Sequence, residues 1–171
     1  NIICVARFDK QKNLPKLFEA FSKLNRQCKL FLIGEGTDSK DCIKLAKSLM
    51  NNQSFQNIEF IGKTNDVEKY LKKATIFVLS SDYEGMPLSA LEASYFNIPV
   101  IMPDVGGAYE IANHGSGYIY SPNTSQALCN AIKMHLDAPE KLQKLSQNSA
   151  SNFQLFFSRE NFIRSMEKMY S

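Results

Sequence analysis

Six short apolar runs, separated by amphipathic stretches, constrain this chain more than any other feature. The runs are Ile2 to Ala6, Leu30 to Ile33, Ile58 to Ile61, Ile76 to Leu79, Pro99 to Met102 and Tyr118 to Tyr120. Each has the length of a strand, and none shows the in-out alternation of a strand with one wet face. Between them lie helical patterns. Asn13 can cap a helix with Pro15 in its first turn and Leu14, Leu17, Phe18, Phe21 and Leu24 on one face. Asp38 or Ser39 opens a second helix with Ile43, Ala46, Leu49 and Met50 inward, and Val67, Tyr70, Leu71 and Ala74 mark a short third. Strand and helix in alternation predict an α/β fold: a doubly wound, parallel, six-stranded sheet with helices on both faces. From Ser125 the chain reads as a helical tail, with Leu128, Ala131, Ile132 and Leu136 on one face, a further helix from Pro139, and a last one marked by Phe162, Ile163, Met166 and Met169.

In such sheets ligands bind outside the carboxyl ends of the strands. The loops there are residues 7–12, 34–36, 62–65, 80–85 and 103–107, and every glycine before Gly115 falls in one of them. That suits a site where backbone must approach a ligand closely. The loop after the fourth run leads into the stretch Asp82 to Ala93, D-Y-E-G-M-P-L-S-A-L-E-A, where Pro87 suits the first turn of a helix. Glu84 stands before that helix and Glu92 within it. Between them the helix start exposes N–H groups that attract anions. N–H donors for phosphate beside carboxylates for hydroxyls suit a sugar nucleotide.

Glu84 and Glu92 within E-G-M-P-L-S-A-L-E-A resemble the paired-glutamate motif of retaining glycosyltransferases of the GT-B fold, above all the large family 4. The resemblance extends over about residues 2 to 120. It includes Arg7 and Lys12-Asn13 after the first strand, Gly34-Glu35-Gly36 after the second, Ile61-Gly62 after the third and Gly106-Gly107 after the fifth. It implies a Rossmann-like sheet in the donor-binding, C-terminal domain of such an enzyme, spanning residues 1–171. A preceding acceptor domain would be absent, and the start at Asn1 without Met fits a piece of a longer protein or a removed leader. The reaction implied is transfer of a sugar from a nucleoside-diphosphate sugar to an acceptor hydroxyl with retention, in glycan, lipopolysaccharide or glycolipid synthesis. A non-catalytic sugar-nucleotide-binding module is the alternative.

By the same resemblance Arg7 and Lys12 hold the donor phosphates and stabilise the leaving group, Arg as a planar fork and Lys as a point charge. Lys10 competes with Lys12 but lacks the Lys-Asn dipeptide. Glu84 faces the transferred sugar, and Glu92 accepts from the ribose hydroxyls. Gly34 and Gly85 let backbone approach the donor. The segment Met86, Pro87, Leu88 and Ser89 supplies backbone N–H groups, and main-chain groups of Lys63 and Thr64 meet the nucleobase. Plainer readings exist for each: a solvated basic loop, an acid favoured at a helix N-terminus, a surface glutamate, a simple turn at Gly62.

A net charge of +3 is too small to argue for nucleic acid. No apolar run approaches the roughly 20 residues that span a bilayer. Cys4, Cys28, Cys42 and Cys129 are scattered without a Cys-x-x-Cys pair, and neither His114 nor His135 has acids or cysteines at metal-ligand spacing. No metal and no cofactor is expected, the donor being a substrate. Gly34-Glu35-Gly36 runs into Ser39 where a dinucleotide fingerprint needs its third glycine. Expected partners are the donor, the N-terminal domain and an acceptor glycan or lipid, in the cytoplasm or peripherally at the inner face of the membrane. The apolar patch at Phe153, Phe156 and Phe157 is expected to be exposed in part, because the family's last helices cross back to the other domain.

Overall fold

A computed structural model gives the fold and describes residues 1–24, 26–112 and 115–170; His114 and the side chain of Phe162 lie outside what is described. The strands are β1 (Ile2–Val5), β2 (Leu30–Ile33), β3 (Ile58–Gly62), β4 (Ile76–Val78), β5 (Val100–Pro103) and β6 (Gly117–Tyr120). The helices are α1 (Leu14–Ser22), α2 (Lys40–Leu49), α3 (Asn52–Gln56), α4 (Glu68–Leu71), α5 (Leu88–Tyr95), α6 (Ala108–Ala112), α7 (Ser125–Leu136), α8 (Pro139–Asn152) and α9 (Arg159–Tyr170), with a π-helical turn at Phe153–Phe157. The strands form one parallel sheet in the order β3-β2-β1-β4-β5-β6. The expected six-stranded, doubly wound architecture with a helical tail is therefore present.

The four central strands are buried on both faces, while the edge strands β3 and β6 are partly open, with Glu59 and Tyr118 exposed. Ile2, Ile3 and Cys4 of β1, Leu30 and Leu32 of β2 and all of β4 are fully buried. Right-handed crossovers put α1 and α2 on one face and α5 and α6 on the other. Helix α1 packs against α2, α3 and α7, and α5 against α8. Polar side chains fix the helix starts: Asn13, Ser39, Asn51 and Thr124 accept from the backbone N–H of Lys16, Cys42, Ser54 and Ala127. Asn13 does so with φ at 43°, a left-handed conformation that asparagine tolerates better than most residues.

Some boundaries differ from the expectation. Pro87 is the residue before α5 and not within its first turn: its ψ of 90° lies outside the helical range. The five-residue helices α3 and α6 are too short to show a period in sequence. Cys4 and Cys129 pack as small hydrophobes, fully buried. His135 is also buried, its Nδ1 2.8 Å from the carbonyl of Ala131. In the tail, Phe153 and Phe157 are partly covered, while Leu155 and Phe156 are 62% and 50% exposed. Phe153 meets the ring of Tyr95 edge-on.

Candidate functional site

The strand order reverses between β1 and β4, the two strands that leave the first half-sheet and begin the second. Their C-terminal loops flank a crevice, the usual place for a ligand in a doubly wound sheet. From the β1 side comes Lys12, just ahead of α1. From the β4 side comes Glu84, just ahead of α5. Lys12 Nζ lies 2.7 Å from Glu84 Oε1 and 3.0 Å from Oε2. Ser81 Oγ donates to Oε1 at 2.6 Å, and Gln11 Nε2 sits 3.0 Å from the carbonyl of Tyr83. The Glu84 side chain is only 6% exposed and that of Lys12 only 16%.

Glycines set how closely the loops approach. Gly106, at φ 49°, passes so near the carbonyl of Glu84 that an added Cβ would stand 1.7 Å from its oxygen. The next amide, Gly107 N–H, donates to Gly85 O at 2.7 Å. The loop after β5 is thus held against the residues that carry the carboxylate. On the other side Gly34, at φ 137°, lies against Ala6, where a Cβ would meet the carbonyl oxygen at 2.2 Å. Its N–H donates to Gly62 O, which ties the exits of β2 and β3 together.

Helix α5 points its N-terminus into the same region. Its first intrahelical bonds run from Ala90 and Leu91 to Pro87 O, so the amides of Leu88 and Ser89 precede the ladder. Pro87 has no N–H, which leaves Met86, Leu88 and Ser89 as the donors of that segment. Glu92 is exposed on α5, a turn further on. Arg7 is 63% exposed and pairs with Asp9 at 3.4 Å. Lys63 is exposed and Thr64 half-buried at the exit of β3, where the Thr64 hydroxyl accepts from Asp66 N–H. The structure therefore brings Lys12, Glu84, Gly85 and the start of α5 together. Arg7, Glu92 and Lys63 are exposed, each on a separate element, and Thr64 beside Lys63 is half-buried.

A second polar cluster lies beneath, which the sequence did not announce. Lys16 is buried, and its ammonium reaches Ser80 O at 3.0 Å, Asp82 Oδ1 at 2.7 Å and Asn123 Oδ1 at 2.7 Å. Asn13 Nδ2 donates to the Asp82 carboxylate at 2.9 and 3.0 Å. The bond from Lys16, and after it the one from Asn13, holds the Asp82 carboxyl below the ordinary aspartate range. Cys4, under the same loops, has its thiol pushed up to about 12 by burial. A hollow of about 550 Å³ opens alongside, walled by Phe8, Asp9, Lys10, Asn13, Pro15, Leu45 and Asp82. Lys10 faces that hollow, while Lys12 faces Glu84.

Buried acid, paired lysine and free helix N-terminus make a site fit for a polyhydroxy anion. Comparison with known proteins gives the family. Residues 1–152 match the sequence profile of the family described as glycosyl transferases group 1. An uncharacterized glycosyltransferase of Haemophilus influenzae is 27% identical over 80% of this chain and 38% of its own length. N-acetyl-alpha-D-glucosaminyl L-malate synthase of Bacillus anthracis is 25% identical over 99% of this chain and 44% of its own length. Among solved structures, Anabaena HepE in complex with UDP superposes with a TM-score of 0.87 over 99% of this chain and 48% of its own, at 20% identity. The chain thus spans less than half the length of these relatives. Among the described residues no helix is long and apolar enough to cross a membrane. With its motifs at the reversal point of the sheet and its profile match over most of its length, the chain belongs to the group 1 glycosyltransferase family.

Proposed function

We propose that this chain is the donor-binding, C-terminal domain of a retaining, family 4 glycosyltransferase, moving a sugar from a nucleoside-diphosphate sugar to an acceptor hydroxyl in glycan, lipopolysaccharide or glycolipid synthesis. The buried Lys12–Glu84 pair beside the α5 N-terminus is the observation that carries this reading. A buried ion pair costs desolvation that it only partly recovers, so a loop gains little stability by forming one. A pair placed where a ligand replaces the lost water is better accounted for. HepE, which shares the fold, is described in complex with UDP and with UDP-glucose, which supports a nucleotide sugar as the ligand class here.

In this reading the diphosphate lies over the amides of Met86, Leu88 and Ser89 and over Lys12, with Arg7 closing from the rim. Lys12 has a third N–H beyond the two directed at Glu84, and this one bonds the phosphate. Glu84 accepts from hydroxyls of the transferred sugar and Glu92 from those of the ribose. Gly34, Lys63 and Thr64 border the base. Charge builds on the leaving diphosphate as the sugar carbon–oxygen bond breaks. Fixed positive groups stabilise it there without a bound metal. The acceptor, and the domain that presents it, lie outside these residues. Titration calorimetry of the chain against a panel of nucleoside diphosphates and their sugars tests the reading. We expect one base to bind, with its sugar nucleotide bound at the same site; a panel with no binding at all overturns it.

A further inference from the structure

We infer that Lys16 and Asn123 are positioning residues for the Lys12–Glu84 pair, holding both halves of it in register through the exit of β4. The role assigned to that pair rests on the reading above; the positioning itself does not. Lys16 belongs to α1, one turn beyond Lys12. Its three N–H groups have three acceptors, all at bonding distance: Ser80 O, Asp82 Oδ1 and Asn123 Oδ1. Asn123, from the loop between β6 and α7, passes the constraint on, its Nδ2 donating to Ser81 O at 3.0 Å. Tyr120 adds a bond from its hydroxyl to Leu79 O at 3.2 Å. The carbonyls of Leu79, Ser80 and Ser81 are thus fastened one after another, each by a side chain from another element.

The same segment reaches both members of the pair. Ser81 Oγ donates to Glu84 Oε1, and Ser80 Oγ donates to Lys12 O at 2.8 Å. Asp82 N–H donates to Gln11 O at 2.9 Å. A shift of Ser80 or Ser81 therefore moves the carboxylate on one side and the lysine backbone on the other. A buried ammonium with all donors used is costly to displace, because each lost acceptor leaves a charge unsolvated. Aliphatic packing would have served the core at least as well. What the lysine adds is direction: two fixed bonds to the loop after β4, at Ser80 and Asp82, and a third to Asn123, which itself bonds that loop.

The test reads the pair and needs no substrate. In the full chain, the acetylation rate of each lysine by acetic anhydride is followed by peptide mass spectrometry, with Lys10 and Lys63 as internal references. In the native chain Lys12 is shielded by Glu84. Lys16→Met should raise its relative rate by about an order of magnitude at a temperature well below unfolding. Asp82 keeps Asn13 and solvent in that variant, so the chain should still fold. Should Lys16→Met fail to fold, Asn123→Ala, which removes the bond to Ser81 O, carries the same expectation. The double change Lys16→Met with Asp82→Asn should regain melting temperature without regaining Lys12 shielding. An unchanged Lys12 rate in a folded single variant, or shielding recovered with stability in the double one, overturns the inference. Absence of nucleotide binding to the native chain would count against the proposed function and leave this result untouched.

Discussion

Lys12 Nζ sits between the two carboxylate oxygens of Glu84, at 2.7 and 3.0 Å, although 71 residues separate them in the chain. Parallel pairing of β1 with β4 makes this possible, since it sets their loops side by side. The pair predicts a difference between the two basic residues assigned to phosphate. Lys12→Ala should weaken nucleoside diphosphate binding by about 1.5–3 kcal/mol, the scale of a charge-assisted bond. It should also lower the melting temperature, because Glu84 is left buried without its cation. Arg7→Ala should weaken binding on a similar scale with no loss of stability, since Arg7 is largely exposed. Calorimetry and thermal melts of both variants decide; equal melting behaviour would mean that the ion pair does not form in solution.

Glu84 and Glu92 occupy different settings, one buried and bonded, the other exposed on α5. Glu84→Gln should weaken binding of the sugar nucleotide while sparing the free diphosphate. Glu92→Gln should weaken both, because the ribose is common to them. Identical profiles from the two variants would refute this division.

Glycine positions give a stability contrast within one site. Gly106→Ala places a methyl against Glu84 O in a left-handed conformation, so it should cost at least about 1–3 kcal/mol and disturb the Glu84 loop. At Gly85 an added Cβ meets nothing within 4 Å, so Gly85→Ala should fold with nearly native stability. Urea unfolding of the two measures the difference. A harmless Gly106→Ala would show that the β5–α6 loop does not press on Glu84.

The Asp82 carboxyl titrates below its ordinary range because Lys16 and Asn13 favour the charged form. Folding therefore gains from this group at any pH above the ordinary aspartate value, about 3.9, and loses that gain as pH falls through the lowered one. The carboxylate is half-exposed, so the gain is modest. Asp82→Asn should shift the urea midpoint most at neutral pH, and the gap to the native chain should narrow as the pH drops below about 4. A gap that stays constant across that range would remove Asp82 from the acid limb.

Much of this was legible in the sequence, and for a physical reason. Strands buried on both faces must be continuously apolar, so β1, β2, β4 and β5 show as unbroken runs, and Glu84 stands out because it sits between such a run and a helix start. Strand order did not show, since the reversal at β1 and β4 is a long-range pairing that no local pattern encodes. Nor did Lys16. It lies beside the apolar face of Leu14, Leu17, Phe18 and Phe21, where a lysine reads as solvated. The acceptors that bury it come from Ser80, Asp82 and Asn123, far along the chain. Gln11 and Ser81 were missed likewise: a single polar residue in a loop carries no period and no spacing.

The last expectation concerns what the 171 residues can do alone. One continuous core runs from Ile2 to Ile132, with the central strands buried on both faces, so the chain should fold and bind nucleotide without help. Transfer asks for more. An acceptor hydroxyl must be held close to the donor carbon, and such positioning can supply roughly 7–11 kcal/mol of a barrier. In the proposed reading the loops at the sheet's carboxyl edge form one wall for the donor, and N-acetyl-alpha-D-glucosaminyl L-malate synthase of Bacillus anthracis, 44% of which the chain covers, is more than twice as long. In the tail, Leu155 and Phe156 stand exposed where the π-helical turn meets α9. We expect micromolar-scale or weaker nucleotide binding with no multiple-turnover transfer, measured on the chain with sugar nucleotides and candidate acceptors. Sustained transfer at an ordinary enzymatic rate would show that these residues build both walls of the cleft.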